Sequence, residues 1–505
     1  MAGDGTFEFE WEHPTDAALS WRWDNWHYPR PVTLLTYDLI ASQLSGWNRA
    51  LAAMGAPIAA ERRRINGYYY RSTRPRQTSD PTPLDPLPQP PAEKNHETWD
   101  TRWLPVVQNY LSRWEAFDRD HSSAAALADH MEESIGWAEH CWEIHFRLNF
   151  GLTGWMGWCE SALGWSGERT RELSAGLMNK SIESDDAMRA LGATVQHSDS
   201  LKRAFALPAR DVLSNLPDDA DGPAFQTSLA AFLERYGRRS EDEGELSVMS
   251  WREEPAPVVA LIKAHAAQPR VDFVAQRAAR ERRRSELETQ AREDVARDHP
   301  DLVKRFDAEL QMARRCAALT EDHNYWIDQQ TGFWTRMDAI AAGRHLVTHG
   351  LLDHAADVFD LSLAEVLAAL RGNRTDLRPL INAHQAERER WEHLTPPIII
   401  GSPLPGQMAA ALEPMFGNSM DTSSAQIVRG QPASLRACPC RAVTGGSGTP
   451  PAGRHPRHED NVATVDAALR LGGWHRDRCG RGAESCGCGS SRVRHPRGRR
   501  RRQRQ

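Results

Sequence analysis

His323 follows two carboxylates, Glu321 and Asp322, and stands just before Tyr325-Trp326. An imidazole among acids and aromatic rings can have its pKa moved across neutrality, which suits general-base work on a substrate hydroxyl. The competing reading, a hydrogen-bonded structural histidine, is the commoner one. Arg239, Arg336 and Arg344 offer planar guanidinium groups that could clamp a phosphoryl group with paired hydrogen bonds. Their ordinary alternative is surface or helix-capping charge. Of the 18 tryptophans, most precede residue 170; Trp21, Trp23, Trp26, Trp155, Trp158 and Trp165 could line a cavity for a large, flat, apolar ligand. Alternatively the rings simply fill the core. His130, His140 and His145 share one expected helix without a Glu-x-x-His pair, so a di-iron bundle is not expected, and no metal-binding residues are assigned.

These residues must be held by elements whose periodicity is visible. Residues 1–74 form a Trp-rich N-terminal segment of mixed α/β character, in which Ile65 to Tyr70 reads as a short strand. Residues 75–97 are a Pro-rich, extended linker, because proline fixes φ and removes the donor that a helix needs. Residues 98–395 read as a helical central domain. Trp103, Val107, Tyr110, Leu111 and Trp114 recur at helical spacing, and a second amphipathic run starts behind Ser122-Ser123. Residues 272–300 form a long, charge-laced helix. The fold class expected is predominantly α. Residues 396–434 read as a further linker, and residues 435–505 as a disordered basic tail.

The tail differs sharply from the body. From Arg429 to Gln505 there are 17 Arg, no Lys and 5 acidic residues, a net charge of +12 that leaves the body at −18 within a total of −6. An acidic body repels phosphates, so nucleic acid is not expected as a partner. Five of the eight cysteines lie in the tail, but Cys438-Pro-Cys440 and Cys486-Gly-Cys488 lack the two-residue spacing of a zinc knuckle. Cys141, Cys159 and Cys316 are scattered singly and read as buried reduced thiols. No apolar run approaches the length of a membrane span, and the acidic N-terminus is unlike a signal peptide; a cytoplasmic location is expected.

A frame slip accounts for the tail better than a basic arm does. Read from the second base of each codon, Trp474 to Cys486 becomes compatible with Gly-Ile-Val-Thr-Asp-Ala-Gly-Gly-Val-Leu-Ser-His-Ala. In the same frame Pro451 to Arg457 is compatible with Gln-Pro-Gly-Asp-Ile-Leu-Val. These strings resemble the swivelling phosphohistidine domain of the phosphoenolpyruvate-utilising enzymes, whose hallmark is Thr-x-x-Gly-Gly-x-x-Ser-His.

The body carries blocks in the matching order. Glu12 to Asp16, Trp21-Arg22-Trp23-Asp24 and Pro29 to Thr33 come first. Tyr236 to Arg239, Glu245-Leu246, Trp251-Arg252-Glu253 and Glu321-Asp322-His323 follow, then Gly343 to Leu346, Gly350 to Asp353 and Asp357 to Glu365. Together they resemble the helical region of phosphoenolpyruvate synthase and rifampicin phosphotransferase-like enzymes, patchily from about residue 8 to 434. The chain departs from the pattern at Arg238, where the family commonly has His, and this puts roles carried over to that loop in doubt.

The resemblance implies a fold and an activity. Phosphate would pass from ATP to a mobile histidine and then to a small-molecule acceptor. Trp23, Arg239, Glu245, His323, Arg336 and Arg344 are the substrate-binding residues it suggests. ATP and Mg2+ are implied for an intact enzyme, with a separate ATP-grasp subunit as partner, since no Gly-rich loop with a following Lys occurs here and no Lys follows Lys304. With its histidine segment out of frame, the chain itself is expected to be inactive. The alternative is a non-catalytic helical binding module with a genuine basic tail.

Overall fold

The computed structural model describes residues 7–402, apart from 92–93, 149–150, 175–176, 243 and 269–272, together with two short paired strands, Ile427–Arg429 and Pro439–Arg441. The expected frame slip and tail disorder otherwise lie outside the described residues. Residues 1–404 form one compact unit. It is predominantly helical with one small sheet, and no described helix is long and apolar enough to cross a membrane.

The sheet has four antiparallel-paired strands, β1 (Ser20–Trp23), β2 (Ile58–Ile65), β3 (Tyr68–Pro75) and β4 (Ile399–Gly401), in the order β2-β3-β1-β4. The single short strand expected over 65–70 is instead the tip of a long hairpin. Asn66 and Gly67 occupy the turn at φ 49° and 79°, and Ile65 pairs with Tyr68. Asn-Gly tolerates positive φ at both central positions, so the chain reverses there. Gly67 is required twice over, because a Cβ would lie 2.8 Å from Pro31 Cβ. Beyond the turn, side chains alternate across the sheet. Tyr68 and Tyr70 pack with Trp21 and Ile400 on one face, while Tyr69 packs with Tyr28, Val32 and Ile40 on the other.

Helices account for the rest. Those used below are α1 (Leu34–Leu39), α2 (Ala41–Ala53), α3 (Leu104–Ala116), α4 (Ala124–Leu148), α5 (Gly151–Leu163), α6 (Lys180–His197), α7 (Asp221–Tyr236), α8 (Ala256–Ala266), α9 (Phe273–Asp298), α10 (Val303–His323) and α11 (Gln330–Thr348). The helical spacing around Trp103 and the start behind Ser123 are realised in α3 and α4; Ser123 Oγ accepts the Ala126 amide at 3.1 Å. α2 lies against α4 at Gly46, where a Cβ would sit 2.5 Å from Trp142 Cβ.

Tryptophan burial follows the plainer reading. Trp103, Trp114, Trp137 and Trp334 fill one core between α3, α4 and α11, whereas Trp155 and Trp158 pack with Phe306 in a second, between α5, α9 and α10. Trp21 belongs to the sheet and Trp26 is exposed. The six rings considered for a single aromatic cavity are therefore not brought together. Cys141, Cys159 and Cys316 are free and buried, and burial pushes the Cys316 thiol up to about 11.

Residues 76 to 91 run without helix or strand, yet they are fastened to the body. Leu84 N donates to Glu143 at 2.8 Å, and Trp103 Nε1 donates to Asp85 at 2.8 Å. At the other end, Tyr68 Oη donates to Leu394 O at 2.7 Å and Tyr70 Oη to Pro397 O at 2.6 Å. These bonds lead the chain into β4.

Candidate functional site

The loop from Gly237 to Glu254, between α7 and α8, carries two of the six candidates, Arg239 and Glu245. It is closed as an irregular hairpin: Trp251 N donates to Arg239 O and Arg252 N to Gly237 O, both at 2.7 Å, and Ser240 bridges Ser250.

Glu245 points from this loop to the start of α1. Its carboxylate accepts Thr33 N at 3.0 Å, Thr33 Oγ1 at 2.9 Å, Thr36 Oγ1 at 2.6 Å and Ser247 N at 2.9 Å. Four donors on two oxygens fill the acceptor capacity of a carboxylate, and an anion suits a helix N-terminus. Glu245 thus clasps the loop to the N-terminal segment. Arg336 performs the matching task from α11. Its Nε donates to Glu253 at 3.0 Å and its Nη1 to Leu246 O at 2.7 Å. Burial pushes the Glu253 carboxyl up, but Arg336 and Ser250 outweigh it and hold the group below its ordinary value.

A cleft of about 220 Å3 lies beside this clasp, lined among others by Tyr28, Arg30, Thr33, Asp242, Glu245 and Arg388. Arg30 pairs with Asp242 at 3.1 Å, and Arg388 with Asp360 at 2.7 Å. Burial leaves the Asp360 carboxyl raised despite Gln385 and Arg388. On the far side of Glu245 is a second, water-sized space of about 20 Å3, lined by Arg238, Ser240, Asp328, Gln329 and Arg336 among others.

The six sequence candidates are only partly assembled. Glu245 borders both spaces and Arg336 the smaller one. Arg239 is on the same loop, its guanidinium 5.3 Å from the Trp251 ring centre. Trp23 touches the neighbourhood indirectly, donating Nε1 to Tyr28 O at 3.0 Å. Arg344 lies on an exposed stretch of α11, paired with Asp120 at 2.9 Å, and lines neither space.

His323 is buried in a different setting from the one its sequence neighbours suggest. Glu321 and Asp322 face away to α6, where Glu321 accepts Ser181 Oγ at 2.6 Å and Asp322 accepts Lys180 N at 2.8 Å. Consecutive residues on a helix point to different faces, so adjacency in sequence did not become contact. The groups that face His323 are His145, with ring centres 4.5 Å apart, and Asp328. His323 Nδ1 donates to Leu319 O at 2.8 Å. Burial foremost, with the His145 charge, lowers its pKa to about 4. At neutral pH it is therefore an uncharged imidazole and a weak proton acceptor.

Asp328 reaches this group because residues Asn324–Gln329 form a π-helical turn between α10 and α11. In an α-helix, residues five apart are separated by about 140° around the axis; i→i+5 bonding brings them back toward one side. His145 comes from the last turn of α4, with Nδ1 3.0 Å from Asp328 Oδ2. Burial pushes the Asp328 carboxyl up, but the two histidines prevail and hold it below the usual range. Residue spacing of 145, 323 and 328 gave no signal for this group. Only the Tyr-Trp-Ile-Asp stretch after His323 placed a carboxylate nearby.

Comparison with known proteins finds partial similarity over the helical body. Residues 148–321, which span the loop and most of α10, match the family described as the rifampicin phosphotransferase fourth domain. Chondramide synthase cmdD of Chondromyces crocatus is 28% identical over 431 residues, covering 79% of this chain and 11% of that protein. The uncharacterized phosphotransferase YvkC of Bacillus subtilis (strain 168) is 26% identical over 248 residues, 48% of this chain and 29% of that one. A rifampicin phosphotransferase from a Streptomyces species is 28% identical over 192 residues, 38% and 22% respectively. The chain thus spans between 11% and 29% of the length of these relatives. Over part of its length the body is similar to phosphotransferases, among them a rifampicin phosphotransferase.

Proposed function

We propose that the body binds the small-molecule acceptor of a phosphotransfer that proceeds through a phosphohistidine, with ATP or phosphoenolpyruvate as the phosphate source. The observation that carries this reading is the family match over 148–321, which includes the loop that walls the cleft. The acceptor is compact and polar: about 220 Å3 lies below the roughly 300–1,000 Å3 of common ligand pockets, and the lining is rich in paired charges. Arg30 and Arg388 supply guanidinium groups at the cleft that suit an incoming phosphoryl group.

The histidine that would carry phosphate is not in frame in this sequence, so the chain as written does not catalyse the transfer. Nor do the described residues fit ATP. They hold no Gly-rich loop followed by Lys, so ATP and Mg2+ belong to a separate ATP-grasp subunit or to a domain outside this sequence. The residues of this chain bind and orient the acceptor; the His–P bond would break as the acceptor O–P bond forms, and the hydroxyl proton would leave to solvent or a cleft carboxylate.

Sequencing the DNA across codons 430 to 460 tests the frame. A missing or extra base is expected, and a chain with the frame restored should acquire an acid-labile, alkali-stable phosphate from its donor and ATP-grasp partner. A clean read in the stated frame, or transfer to an acceptor by the chain as written, would overturn the proposal.

A further inference from the structure

We propose that His145, His323 and Asp328 form a binding site for one divalent transition-metal ion, of the zinc or ferrous class. One ligand atom from each residue lies within 4.8 Å of the other two. His145 Nδ1 and Asp328 Oδ2 are already 3.0 Å apart, close to the about 3.3 Å between two ligands on a tetrahedral zinc ion with bonds near 2.0–2.1 Å.

Three features distinguish this group from an ordinary polar contact. The residues come from three elements, the end of α4, the end of α10 and the π-helical turn, so tertiary packing and not local sequence assembles them. The turn itself is an irregularity of the kind concentrated at functional positions. His323 Nδ1 donates to the Leu319 carbonyl, which fixes the tautomer and leaves Nε2 as the atom with a lone pair; ligating histidines are oriented in just this way by a backbone carbonyl. Two imidazoles and one carboxylate are a donor set for zinc or ferrous iron and a poor one for magnesium or calcium, which favour oxygen.

Three protein ligands leave a coordination position open, as in catalytic and not structural zinc sites. Asp328 also lines the small space bordered by Glu245, Gln329 and Arg336. This inference does not depend on the phosphotransfer reading.

The test is titration of the metal-free full chain with Co2+, followed by visible absorption. One equivalent should bind with d–d bands of nitrogen and oxygen ligation and without a thiolate charge-transfer band, the latter excluding the tail cysteines. Asp328→Asn and His145→Gln should each weaken binding by more than about 100-fold, beyond the loss caused by removing an outer partner. His140→Gln, on the same helix but outside the group, should leave it unchanged. Thiolate-type spectra, no saturable Co2+ binding by folded wild-type chain, or unchanged affinity in folded Asp328→Asn would each overturn the proposal. Because two of those readouts use wild type alone, a misfolded variant does not rescue it.

Discussion

The loop clasp and the buried histidine group are both polar clusters built from distant parts of the chain, but they differ in how completely their atoms are used. At the clasp, Glu245 accepts four donors and Arg336 joins a carboxylate to a carbonyl, so the groups hold two elements together. In the histidine group, one carboxylate serves two imidazoles, and the pKa values of His323 and Asp328 are displaced in the sense that leaves a neutral ring beside an anion. A saturated cluster resists change and reads as architecture. A cluster of converging bases reads as a place for a cation.

Breaking the clasp should have the largest consequence. Arg336→Ala strips the Glu253 carboxylate and the Leu246 carbonyl of their buried partner, and should cost about 3–5 kcal/mol in urea unfolding. If the loss is below about 1 kcal/mol, the loop is not held from α11. In metal-free protein the histidine group should appear instead in pH dependence. The unfolded imidazole takes a proton near its ordinary value of about 6.5, the folded His323 only near about 4. Stability from this group is therefore fully present above pH 6.5 and is lost as pH falls toward 4, at up to about 1.4 kcal/mol per pH unit. Unfolding midpoints of wild type and His323→Gln should diverge in slope across that window, and parallel curves would show that His323 is protonated normally.

Smaller effects sharpen the same contrast. Glu245→Gln removes the anion from four donors and should cost about 1.5–3 kcal/mol, with the N-terminal segment becoming more accessible to protease. Arg344→Ala, which breaks one exposed pair with Asp120, should change stability by less than about 0.5 kcal/mol. A large effect of Arg344→Ala on acceptor binding would return that residue to the site from which its position removes it.

Much of the helical body was legible, because burying one face of a helix leaves a periodic trace: the spacing from Trp103 to Trp114 and the serine before Ala124 delimit α3 and α4. The charge-laced run over 272–300 likewise became α9, Phe273–Asp298. Asn66-Gly67 is the direct signature of the hairpin, yet the three consecutive tyrosines that follow read as a strand running across the turn. The site was less legible. Residue type and resemblance point to Glu245 and Arg336, to which the structure gives partners, whereas Glu321 and Asp322, the sequence neighbours of His323, are turned away by the helix.

Composition and periodicity by themselves determined that the body is acidic and predominantly helical, and the order of short blocks carried its resemblance to phosphotransferases. Those properties are local or additive, so a linear chain displays them. Only the tertiary structure decided that the tryptophans divide among separate cores, that Glu245 clasps Thr33 and Thr36, and that His145 meets His323 and Asp328. Each of those depends on which faces of remote helices pack together, and on one π-helical turn that rotates Asp328 back toward His323, and neither is written in residue spacing.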